Sequence, residues 1–268
     1  MKYNFIKTLA LTLTALGTSM AYAEDTSFAG FSATGSVAAT TDYRFRGVTQ
    51  SANNPAIQGG FTINHTSGAY LALWGSSVDF DIEGNSTETD ASLGYASKFN
   101  TSPDYSIGYD VGVTYYGYIG GGKFQNEATG KSGLNFTEFY GKLNFADTLL
   151  KGDQITTGLA YSPDYWGRTG HFWYVNLGYS APIADTGFTG LASVGYNKFK
   201  NNDALAVVAG GPGTDKDYVD YKFGVAYTFL GINAELAGVG TNISTTGMNK
   251  AEKRPYDLGA VFTLSKSF

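Results

Sequence analysis

Hydrophobic and polar residues alternate with a period of two along most of the chain. Between Tyr105 and Tyr115 one face reads Tyr105, Ile107, Tyr109, Val111, Val113 and Tyr115; the other reads Ser106, Gly108, Asp110, Gly112 and Thr114. A second stretch sets Val219, Tyr221, Phe223, Val225, Tyr227 and Phe229 against Tyr218, Asp220, Lys222, Gly224, Ala226 and Thr228. Successive side chains of a strand point to opposite faces, so each segment has one apolar and one polar or small face. Strands are predicted over 29–40, 56–65, 69–79, 90–99, 105–117, 135–146, 154–162, 171–181, 188–199, 217–229, 231–242 and 256–268. Soluble antiparallel sheets share this alternation, so the period identifies the element and not its surroundings.

The connections carry the next piece of information. Short links (65–68, 100–104, 146–153, 181–187, 230–231) alternate with longer polar ones (40–55, 78–89, 118–134, 200–216, 243–255), and 162–170 joins the long set by position. Barrels of the outer-membrane type place short turns at the periplasm and long loops outside. The predicted fold is therefore all-β: a transmembrane, antiparallel, up-and-down β-barrel of about twelve strands with both termini periplasmic. A closed barrel is also the strand architecture that satisfies every backbone group inside lipid.

Composition agrees. Charged residues make up only 15% of the chain, below the roughly 25% usual in globular domains. Tyr 20, Phe 18 and Gly 36 are abundant, yet mean hydropathy is only −0.15. A net charge of −5 argues against nucleic acid as a partner. Lys2, Lys7, the apolar stretch Leu9–Leu16 and Ala21-Tyr22-Ala23 together read as a cleaved secretory signal over 1–23, leaving 24–268 as one barrel domain. The absence of cysteine excludes disulfides, thiolate metal sites and lipid attachment through a cysteine.

The last strand places Tyr256, Leu258, Ala260, Phe262, Leu264 and Phe268 on one face, interrupted by Lys266. Its terminal aromatic resembles the signal by which the barrel-assembly machinery recognises such chains. Aromatics at strand ends (Tyr43, Phe45, Phe99, Tyr115, Tyr116, Tyr161, Phe172 to Tyr174, Tyr196 and Phe199) suit interfacial girdles facing outer-membrane lipids.

Asp42-Tyr43-Arg44-Phe45-Arg46-Gly47-Val48-Thr49-Gln50-Ser51, with Pro55-Ala56-Ile57-Gln58-Gly59-Gly60, resembles the signature of the TorF-family porins. Trp74-Gly75-Ser76-Ser77-Val78-Asp79 and Asn135-Phe136-Thr137-Glu138-Phe139-Tyr140 are similar to that family too. The resemblance implies an outer-membrane barrel classed as a porin, with no established substrate and no catalytic residues.

Arg44 and Arg46 share one face, and Tyr43 and Phe45 the other. The arginines are expected at the lumen or mouth, either biasing solute charge or pairing with lumen carboxylates to fix the first long link. Asp110, Glu138, Lys142, Asp220, Lys222 and Glu235 fall on the less apolar faces and are expected to point inward. Mixed charges on a lumen wall create a transverse field that a water-filled pore can use for selectivity. The functional expectation is thus a channel for passive diffusion of small hydrophilic solutes, needing no cofactor. A structural or receptor barrel presenting its long loops is the alternative. A Ser162/His171 pair at the outer rim offers an outer-membrane lipase reading, but no orienting partner accompanies it. Asp79-Phe80-Asp81-Ile82-Glu83-Gly84 with Asp90 superficially matches a calcium loop but lacks the flanking helices and the final Glu. Gly120-Gly121-Gly122-Lys123 lacks the spacing of a phosphate loop and reads as a loop tip.

Overall fold

Every predicted segment forms a strand, and each pairs antiparallel with the next. The computed structural model describes residues 29–102, 105–209 and 215–268; the expected signal segment lies outside them. The barrel strands are β1 (Phe31–Thr40), β2 (Ala56–His65), β3 (Ala69–Ser77), β4 (Thr87–Ser102), β5 (Tyr105–Ile119) and β6 (Phe136–Ala146). They continue as β7 (Gln154–Ser162), β8 (Phe172–Pro182), β9 (Phe188–Phe199), β10 (Asp217–Phe229), β11 (Ile232–Thr241) and β12 (Gly259–Ser267). These twelve close into one barrel, with β1 paired to β2 on one side and to β12 on the other. No described helix is long and apolar enough to cross a membrane.

The period of two divides the wall as expected. Leu71, Leu93, Val111, Leu177, Phe223 and Leu236 stand on the outside, 43–61% exposed, and form part of a continuous apolar belt. Inward positions are polar or small and follow a gradient from one end of the barrel to the other. On β1, Ser32 is exposed, Thr34 and Ser36 are half-buried, and Thr40 is buried. On β12, Ser267 is exposed, Thr263 half-buried and Val261 buried. The interior is open at the short-turn end and filled at the long-link end.

The seam between β1 and β12 is continued by Phe268, whose backbone exchanges two hydrogen bonds with Gly35 at 2.7 and 3.0 Å. The Phe268 ring lies against Gly35, where a Cβ atom would meet ring carbons 2.5–3.2 Å away. A side chain there would push the ring aside.

Three elements differ from the sequence expectation. β4 starts at Thr87 rather than at 90, which brings Glu88 into the wall. β12 starts at Gly259 rather than at 256, because the preceding link holds helix α2 (Lys250–Lys253), fixed by a capping box between Asn249 and Glu252. The link 200–216 holds helix α1 (Asn202–Ala209), whose Ala204, Leu205 and Ala209 are buried in the interior core.

Candidate functional site: the filled outer half of the barrel

The link 41–55 does not stand above the barrel; it folds into it. Arg44-Phe45 and Val48-Thr49 pair as a small hairpin, turned by Arg46 and Gly47 at φ 51° and 82°. Two consecutive positive φ values are those of a type I′ turn, whose twist suits a tight hairpin. Gly47 is required there on a second ground, since a Cβ would lie 2.6 Å from the Gly240 carbonyl oxygen. Tyr43 and Phe45 are correspondingly buried, against Trp74 and Tyr116. This corrects their expected place in the membrane girdle: the hairpin carries them across the lumen. Tyr116, Phe172 and Phe199 are also interior, whereas Phe99, Tyr115, Trp173 and Tyr196 face outward.

Arg44 fastens the hairpin to the seam side of the barrel. Its Nε donates to Asp42 Oδ2 at 2.7 Å, and its Nη1 donates to the carbonyls of Gly47, Val239 and Asp257 at 3.1, 3.3 and 2.8 Å. Arg46 reaches the opposite wall. Its two terminal nitrogens donate to the two carboxylate oxygens of Glu138 on β6 at 2.8 and 2.9 Å. Nη1 also approaches Tyr165 Oη at 3.4 Å, and Tyr218 Oη donates to the Arg46 carbonyl at 3.2 Å. The guanidinium carbon lies 4.3 Å from the Tyr174 ring centre, 4.6 Å from Phe45 and 4.9 Å from Phe172. A desolvated guanidinium is stabilised by such ring faces and by a bidentate carboxylate.

The remaining charges named from sequence lie along the wall. Asp110 on β5 accepts from Tyr70 Oη at 2.8 Å, and Tyr70 Oη also meets Tyr140 Oη. Lys142 stands opposite Asp110 in the β5–β6 register, with its Nζ 4.7 Å from the Tyr140 ring centre. Asp220 on β10 accepts from Asn197 Nδ2 at 2.7 Å and Tyr174 Oη at 3.4 Å. Lys222 and Glu235 form an ion pair at 2.6 Å between β10 and β11. The structure thus joins Arg46 to Glu138 and Lys222 to Glu235, and sets Asp110 opposite Lys142. Arg44 pairs within its own link.

Two carboxylates were not among the lumen charges expected from sequence. Glu88 and Asp90 point inward from β4, 1% and 2% exposed. Tyr118 Oη donates to Glu88 Oε1 at 3.1 Å; Tyr43 also faces Glu88 and the Gly117 N–H faces Asp90, and no cation is paired with either carboxylate among the described residues. Their signal was faint: Glu88, Asp90 and Ser92 alternate with Thr87, Thr89 and Ala91, of which only Ala91 is apolar. Asp90 therefore belongs to the wall and not to a calcium loop, and Glu83 instead pairs with Lys123 at 3.2 Å on the surface. The Ser162/His171 pair is not formed: Ser162 Oγ is buried without a hydrogen-bond partner, and His171 is exposed.

Over residues 23–268 the sequence matches the model of a family described as "Bacterial protein of unknown function (Gcw_chp)". The chain belongs to this family. No curated protein sequence matches this Gcw_chp chain. Among solved structures, the chain is similar to the NanC porin at 11% identity and a TM-score of 0.49, over 86% of this chain and 97% of that one. It is similar to the KdgM porin in complex with disordered oligogalacturonate at 11% identity and a TM-score of 0.46, over 88% and 98%. It is similar to outer membrane protein OprD from Pseudomonas aeruginosa at 13% identity and a TM-score of 0.45, over 90% of this chain and 65% of that one. At these identities and scores the likenesses carry no functional argument; the Gcw_chp chain is read from its own geometry.

Proposed function

We propose that the protein is a porin-like barrel of the bacterial outer membrane that admits small hydrophilic solutes by passive diffusion. The observation that carries the proposal is the inversion of the closed barrel, apolar outside and polar inside. A belt of half-exposed Leu, Val and Phe on all sides is a surface for hydrocarbon, and a patch of that extent is foreign to soluble monomers. The inner wall carries hydroxyls, amides and charges, and it opens at the short-turn end. Twelve strands enclose more space than an eight-stranded barrel, whose side chains fill its interior. The parity of the links supports periplasmic termini, and the seam position of Phe268 supports recognition of β12 by the barrel-assembly machinery. The TorF resemblance belongs to the same reading.

The hairpin 41–55 fills the outer half, so flux in this conformation is restricted and depends on how that link moves. Purified protein inserted into planar lipid bilayers should give discrete, infrequent conductance steps. A variant lacking 43–50 should raise both the size of the steps and the time spent open. Insertion without conductance in either protein would overturn the channel reading and leave a structural barrel.

A further inference from the structure

Arg46 occupies a receptacle that suits a soluble guanidinium equally well. Glu138 presents both oxygens in the fork that matches a planar guanidinium. Phe172 and Tyr174 offer ring faces at cation–π distance. Glu138 belongs to β6, and Phe172 and Tyr174 to β8, so these three stay in the wall if the hairpin leaves. Phe45 alone among the nearest contacts travels with the link.

The surroundings of the receptacle are acidic. Glu88 and Asp90, 1% and 2% exposed, stand nearby with no cation paired to either among the described residues. A buried carboxylate is stabilised by a cation and not by an anion, so the outer half favours an incoming cation.

We propose that the Glu138–Phe172–Tyr174 receptacle is a binding site for small organic cations bearing a guanidinium group, with Arg46 as the resident occupant that such a solute displaces. The site names the solute class of the proposed channel and rests on that reading for passage through the barrel; binding itself requires no conduction.

The test empties the receptacle. Arg46→Gly removes the side chain and suits the positive φ of the turn. Folded R46G, verified by heat-modifiable gel mobility, is titrated calorimetrically with methylguanidinium, and with urea as the uncharged planar control. R46G should bind methylguanidinium at least about tenfold more tightly than the unmodified protein, since a bidentate charge-assisted pair is regained. R46G/E138Q should lose that gain, and urea should not bind either protein. If Arg46 merely fastens the hairpin, methylguanidinium refills the cavity of R46G but the unmodified protein shows no saturable binding at all, and the proposal falls. Binding that persists undiminished in R46G/E138Q would overturn it as well. Should R46G not fold, Arg46→Asn, whose short side chain suits the positive φ, empties the receptacle and is read by the same comparison. Absent conductance would sink the channel reading and leave this binding result standing.

Discussion

At Glu138 two donors from one guanidinium meet two acceptors of one carboxylate, both groups nearly sealed from water. The attraction between such groups offsets their desolvation only while both are present, so removing one partner is costly. Glu138→Gln leaves Arg46 buried opposite a neutral amide and should destabilise the barrel by about 3 kcal/mol in urea titrations in detergent. An unchanged midpoint would show that the hairpin is held by its aromatic contacts alone. Asp90 is the converse case, since it is 2% exposed and no cation is paired with it among the described residues. Asp90→Asn removes an uncompensated carboxylate and should raise the urea midpoint, by about 1–3 kcal/mol of stability. A lowered midpoint would mean that Asp90 has a partner of its own.

Among the elements, the turn 147–153 shows how a connection is fixed by one carboxylate. The Asp153 carboxylate accepts the backbone N–H groups of Thr148, Leu149 and Leu150 at 2.7, 2.8 and 2.9 Å, and Tyr179 Oη at 3.3 Å. Desolvation opposes its ionisation, but the three N–H donors and the phenol outweigh it and hold the carboxyl below the usual carboxylate range. A depressed value stabilises the fold above the unfolded-state value of about 4 and ceases to do so as pH falls through the folded value. The stability difference between the unmodified protein and Asp153→Asn should therefore be full at neutral pH and shrink progressively as pH falls below about 4, read from thermal melts at pH 7, pH 4 and pH 2. A difference independent of pH would exclude the charge as its source. Strand number and link parity were legible because nearly every strand carries apolar residues at alternate positions. The start of β4 was not, since Thr87-Glu88-Thr89-Asp90 has no apolar residue to mark its outward face. The arginines of the hairpin 41–55 were expected inside, but its aromatics Tyr43 and Phe45 were misplaced, for a different reason. Tyr43, Arg44, Phe45 and Arg46 alternate as a rim strand would, and only partners remote in sequence, Glu138 and Val239 among them, draw both faces inside.

For the whole molecule, the unequal ends of the interior decide where a solute is checked. Arg44 and Arg46 are matched by Asp42 and Glu138 in the filled half. The grip of Arg44 has a consequence of another kind. The residue lies just after β1, yet the carbonyls it holds belong to Val239, Asp257 and Arg254, up to 213 positions later. Contacts so remote in the chain form late, since the intervening loop must close first. The hairpin therefore cannot seat until the final strands have arrived, and once seated it clamps the joint between the first strand and the last from within. Sideways parting of that joint then requires the clamp to be withdrawn first, so folded barrels should exchange the β1–β12 amide hydrogens as slowly as those of any interior strand pair.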